Sequence, residues 1–207
     1  MAEFGVVTKA LLAIARDGVD DRALAMRICR ACVDGLIVNG AAISLQTARV
    51  ARQTLAVTDG TAELLEDLQF TLSEGACMEA ARTGSPVLVA DLQHSGEVAR
   101  WPVFAAAVLE RSAVRAVFAL PLQWGAVNLG VLDLYRLQPG MLDDEQLRDA
   151  IMTADTAALM MLGLRTDPDQ DGGGWLDHAV AHRAEICECR CGAPGWRTSR
   201  LGAGDPT

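Results

Sequence analysis

The apolar residues of this chain fall into helical stripes that give way, at glycines, to short extended runs. Phe4, Val7, Leu11 and Ile14 stand 3, 4 and 3 residues apart with charges between them, the seam of an amphipathic helix. Gly18 breaks that stripe. Asp20 or Asp21 caps a second helix whose apolar face carries Leu24, Ile28, Ala31 and Cys32. After Gly35 and Gly40, the segments Ala41 to Thr47 and Gln53 to Val57 read as two short strands around a polar turn from Ala48 to Arg52. Asp59-Gly60-Thr61 opens a third helix, with Leu64, Leu65, Leu68 and Leu72 turned inward and Glu63, Glu66 and Asp67 on the wet side.

Ser73-Glu74-Gly75 interrupts this helix, and Cys77 to Arg82 adds a turn or two before Gly84. Pro86 to Leu92 is an apolar strand, followed by a polar loop from Gln93 to Arg100. Trp101-Pro102 begins a short helix running to about Arg111, since proline is favoured in a first turn. Arg115 to Trp124 and Val127 to Arg136, joined by Gly125-Ala126, predict the central antiparallel hairpin of a sheet. Asp143-Asp144 caps a last long helix lined on one face by Leu147, Ile151, Ala154, Ala158, Met161 and Leu162. The order of elements predicts an α+β domain. Residues 1–19 then form an N-terminal helix, 20–165 the domain itself and 166–175 a linker. Seven glycines and three prolines fall in the last 41 residues, and from residue 187 on no sustained apolar period remains, so disorder is expected there.

Composition narrows the classes of function. With 51% hydrophobic residues and a mean hydropathy of +0.20, the 207-residue chain has ample material for a core. No apolar run approaches the roughly 18 residues of a membrane span. Eighteen basic against 27 acidic residues give a net charge of −9, the wrong sign for a body that grips phosphates. Met1 to Ala10 shows no secretory pattern, and six cysteines are too few for a disulfide scaffold; a reduced, cytoplasmic setting is expected.

The blocks "TLAVTDGTAELLEDLQFTLSEGAC", "ARTGSPVLVADL", "RWPVFAAAV" and "VRAVFALPLQWGAVNLGVLDLY", in that order and spacing, resemble a GAF domain. They are most similar to the GAF module of bacterial GAF–ANTAR transcription antitermination regulators. The resemblance implies an antiparallel sheet of five or six strands with helices on both faces. It also implies a small-molecule site between the sheet and one helical layer. Mapped onto this chain, that site would draw on Phe70, Glu74, Gly75, Cys77, Asp91, Trp101, Phe104, Phe118 and Leu120, with simple core packing as the bland alternative. In the family an RNA-binding ANTAR bundle follows. "WLDHAVAHRAEI" looks like its entry, but residues 187–207 lack its pattern, so 176–207 read as a remnant and a tail, and RNA is a partner only if an intact module exists.

Other chemistry reads as weaker. Cys77 invites a nucleophilic or chromophore-attachment role, yet no base lies near it in sequence, and a buried structural thiol is the expectation. Cys29 and Cys32 with Cys187, Cys189 and Cys191 could form a split metal site, but the tail half is poor, and no metal is expected. His94 reads as a solvated loop residue, and Arg190, Arg197 and Arg200 as a solvated tail. The function expected is a non-enzymatic, small-molecule-sensing regulatory domain with an unidentified ligand and no assigned cofactor. It would form a homodimer through its first and last helices. A ligand-free dimerisation module and an RNA-binding antiterminator are the alternatives.

Overall fold

The two longest apolar runs pair with each other. In the computed structural model, which describes residues 5–14, 21–45, 53–125 and 127–162, β4 (Ala116–Trp124) and β5 (Val127–Arg136) are antiparallel, from Ala116 opposite Arg136 to Trp124 opposite Val127. β1 (Gly40–Leu45) adds to the far side of β5, β2 (Gln53–Val57) to β1, and the three-residue β3 (Val87–Val89) to β4. The result is one five-stranded sheet in the order β2-β1-β5-β4-β3, with every pairing antiparallel. The α+β class and the five-stranded antiparallel sheet agree with the expectation.

Alternation along the strands sends residues to two separate cores. Ala41, Ile43, Ala116, Phe118, Leu120, Leu122, Leu132 and Leu134 pack with α1 (Val6–Ile14), α2 (Asp21–Gly35) and α7 (Asp144–Met161). Ala42, Val117, Ala119, Val131 and Tyr135 pack with α3 (Gly60–Leu72), α4 (Ala76–Thr83) and α6 (Pro102–Arg111). Each layer follows from its stripe. Val7, Leu11, Leu24, Ile28 and Cys32 are buried in the first core, as their spacing predicts. In α7, Asp143 and Gln146 form a reciprocal capping box. Its buried stripe is wider than expected, taking in Met152, Thr153, Thr156, Leu159 and Met160, whereas Leu162 is exposed.

Three local expectations give way. The strand expected over Pro86 to Leu92 is only Val87–Val89, because Asp91 turns out of the sheet to accept the Gln93 N–H and to pair with Arg115. The expected polar loop contains a helix, α5 (Ser95–Arg100), whose start is capped by His94 Nδ1 accepting the Gly96 N–H at 3.3 Å. It has no apolar period for a sequence reading to find; caps and backbone bonds hold it. Glu66, expected on the wet side of α3, is instead 6% exposed and faces the sheet. The loop from 46 to 52, and the linker and tail beyond 162, lie outside the described residues.

Candidate functional site

α3 is set by its first residue. The Asp59 carboxylate accepts the N–H groups of Thr61 and Ala62 and the hydroxyl of Tyr135 on β5, so cap and sheet fix the helix together. Burial pulls the Asp59 pKa upward, but these donors and the Thr58 hydroxyl outweigh it and hold the group below the usual carboxylate range. Burial and the neighbouring Asp59 charge push the Tyr135 phenol up to about 12.

One helical row of α3 then runs under the sheet through Ala62, Glu66 and Gln69, all buried. Gln69 Oε1 accepts the Cys77 N–H at 2.8 Å and so supplies the first turn of α4 with an acceptor that its N-cap, Gly75, lacks. Gly75 has φ of +116°, and a Cβ there would come within 2.7 Å of Gln69 Oε1; glycine is required on both counts. The turn at Gly75 brings Cys77 back beneath α3.

At that point three elements converge. The fully buried Cys77 Sγ donates a short hydrogen bond to Asp133 Oδ2 on β5 and lies 4.0 Å from Glu66 Oε1 and 3.9 Å from Ser44 Oγ on β1. The ligand-type atoms of Glu66, Cys77 and Asp133 all lie within 4.8 Å of one another. The register of β1 against β2 shifts between Ile43 and Ser44, a bulge beside this cluster. A cavity of about 10 Å³ is lined by Glu66, Gln69, Asp133 and Tyr135 among apolar neighbours, room for one water. On the other side of Glu66 an outer hollow of about 110 Å³ is lined by Thr54, Asp67 and Phe70.

Of the residues expected at a ligand site, the structure gathers some and separates others. Cys77 is in the cluster, and Trp101 and Phe104 pack edge to face in the same core, ring centroids 6.4 Å apart. Phe70 is half exposed and borders the outer hollow. Glu74 acts on a different helix: its Oε2 accepts the N–H groups of Val103 and Phe104 at 3.0 Å each, capping α6. Asp91 is bound to Arg115, which holds its carboxylate below the usual range. Phe118 and Leu120 belong to the opposite face, in the core under α2 and α7, because strand alternation places Val117 and Ala119 toward Cys77 instead. Glu66, Gln69, Ser44 and Asp133 are missed by sequence reasoning. The legible signal was a single acid, Asp133, inside an otherwise apolar strand pattern.

The two other described thiols are packing groups. Cys29 and Cys32 are buried and free, and burial pushes the Cys29 thiol up to about 12 and raises Cys32 as well. Cys187, Cys189 and Cys191 lie outside the described residues.

A family profile for the GAF domain matches residues 19–161, about two thirds of the chain. The chain belongs to the GAF-domain family. This GAF domain resembles the GAF domain of a phosphoenolpyruvate-protein phosphotransferase from Coxiella burnetii with a TM-score of 0.59 at 13% identity, covering 77% of this chain and 92% of that one. The GAF domain of the cyanobacteriochrome TePixJ gives 0.58 at 16% identity over 72% and 94%. Free methionine-R-sulfoxide reductase from Neisseria meningitidis, in complex with its substrate, gives 0.54 at 16% identity over 77% and 88%. At these identities the likeness is one of fold. No curated protein matches the chain in sequence. Among the described residues no helix is long and apolar enough to cross a membrane.

Proposed function

We propose that this GAF domain is a regulatory sensor whose guest binds between the sheet and α3, at Glu66, Cys77 and Asp133. The observation that carries this reading is the concentration of polar groups in an otherwise apolar core layer, bordered by a cavity and an outer hollow that share Glu66 as a wall. Burying such groups costs free energy that a purely structural layer avoids, so their presence there argues for recognition. A cavity of about 10 Å³ is far below the roughly 300–1,000 Å³ of sites for organic ligands. An organic guest therefore requires α3 to move outward, whereas a guest the size of a water or an ion does not.

A sensor transmits by favouring one of two arrangements of its outer helices. A groove of about 430 Å³ between α1 and α2, bordered by the exposed Val6, supports pairing with a second copy through this helical layer. The finer assignment to the GAF–ANTAR regulators rests on the sequence blocks quoted above. A thermal-shift screen of metabolites and ions against the full chain tests the sensory reading. A stabilising hit that Glu66→Gln or Asp133→Asn abolishes supports it; a hit indifferent to both substitutions, or no hit at all, removes it.

An enzymatic reading has one specific observation in its favour, the contact between a thiol and two carboxylates. Two nearby carboxylates disfavour the thiolate that a nucleophile needs, so the sensory reading stands first.

A further inference from the structure

Glu66 is 6% exposed, and its partners are the Thr54 hydroxyl at 3.3 Å and the Cys77 thiol at 4.0 Å; no cation faces it among the described residues. Gln69 is 5% exposed and lines the same cavity. Its Oε1 accepts the Cys77 N–H at 2.8 Å. A carboxylate buried with no counter-charge among the described residues costs free energy. That charge, with the Cys77 and Asp133 ligand atoms within 4.8 Å, suits a cation.

We propose that Glu66, Cys77 and Asp133 form a site for one divalent transition-metal ion, of which Zn²⁺ is the best match. A thiolate with two carboxylates suits a borderline-soft ion rather than Mg²⁺ or Ca²⁺, which take oxygen donors alone. Three protein ligands leave a fourth position open, and the cavity beside them has room for one water. Gln69 is the positioning residue. Its Oε1 anchors the N–H of Cys77, and its side chain lines the cavity beside the three ligands. The outer hollow bounded by Thr54, Asp67 and Phe70 also borders Glu66. Asp67 adds a second acidic group there.

The binding step balances simply. The Cys77 S–H, which donates to Asp133 in the metal-free chain, loses its proton to solvent as the metal–sulfur bond forms; nothing is oxidised or reduced. Loading therefore tightens as pH rises. The site deepens the sensory reading by naming the class of its guest, and its role as a signal rests on that reading.

Co²⁺ serves as the probe, because a thiolate ligand gives it a near-ultraviolet charge-transfer band. The tail thiols are first silenced in the full chain by Cys187→Ser, Cys189→Ser and Cys191→Ser. The expected result is one Co²⁺ per chain with that band, displaced by Zn²⁺ and accompanied by proton release in calorimetry. Cys77→Ser removes the band while far-ultraviolet circular dichroism and the unfolding midpoint show the fold retained. Glu66→Gln and Asp133→Asn each loosen Co²⁺ at least tenfold, and Gln69→Leu loosens it about 10–100-fold with the band kept. A band that disappears with the tail thiols, survives Cys77→Ser, or never forms overturns the metal site. Organic hits in the thermal-shift screen that depend on Glu66 would then leave the sensory reading intact, so the two fail separately.

Discussion

The Asp149 carboxylate accepts the Thr8 hydroxyl at 2.7 Å and the Thr8 N–H at 3.1 Å, tying the first helix of the chain to the last. It takes the Val7 N–H as well, at 2.9 Å, so one buried side chain on α7 satisfies the opening turn of α1. Asp149→Ala leaves these donors without an acceptor in the first core. The expected loss is about 1–3 kcal/mol. A drop of several degrees in the thermal midpoint, with α1 amides exchanging faster than those of β5, checks it; uniform exchange across both would mean that the contact does not anchor α1.

Glu74 holds the start of α6 through two N–H groups. Removing a capping acceptor costs about 0.5–2 kcal/mol. Glu74→Ala is therefore expected to lower the urea midpoint modestly and to leave metal or ligand affinity within twofold. A large loss of affinity with unchanged stability would instead place Glu74 among the binding groups.

The Tyr135–Asp59 pair gives the fold a dependence on pH at both ends. Tyr135 is raised to about 12, so its contribution is complete below the ordinary tyrosine value near 10 and is lost as pH rises from there to about 12. Asp59 is lowered, so its contribution is complete above the ordinary aspartate value near 4 and is lost as pH falls through its depressed value. Tyr135→Phe should flatten the alkaline limb of a stability profile and shrink part of the acid limb. Chemical denaturation at fixed steps of pH measures both.

Phe118 and Phe70 should separate cleanly. Phe118 is fully buried in the core beneath α2 and α7, and Phe118→Ala is expected to cost about 3–5 kcal/mol. Phe70 is half exposed, so Phe70→Ala should change stability by no more than about 0.5 kcal/mol. It should alter access to the outer hollow, read as a changed rate of metal or ligand association in stopped flow. An equal stability loss at the two positions would contradict the layer assignment.

The helical stripes and the long hairpin were legible because a buried face must repeat at the period of its element. Leu24, Ile28 and Cys32 on α2, and the runs forming β4 and β5, carry that signal without ambiguity. The face to which a strand residue belongs is harder to read. Phe118 and Leu120 differ from Val117 and Ala119 only by parity, and both sets are apolar, so composition does not say which set meets Cys77. The charge of Glu66 points to the wet side of α3, yet Glu66 and Gln69 share the row of Ala62 that the sheet covers. Asp133 meets Cys77 across 56 residues of chain, a proximity that no local spacing encodes.

The sheet places the acid–thiol cluster on one side and the helices leading to both ends of the chain on the other. Asp133 points to the cluster, while its neighbours Leu132 and Leu134 plug the opposite core. A pull on Asp133 thus reaches the α7 side through a partition only one backbone thick. A guest that displaces Asp133 would displace a strand shared by both cores, with no loop between them.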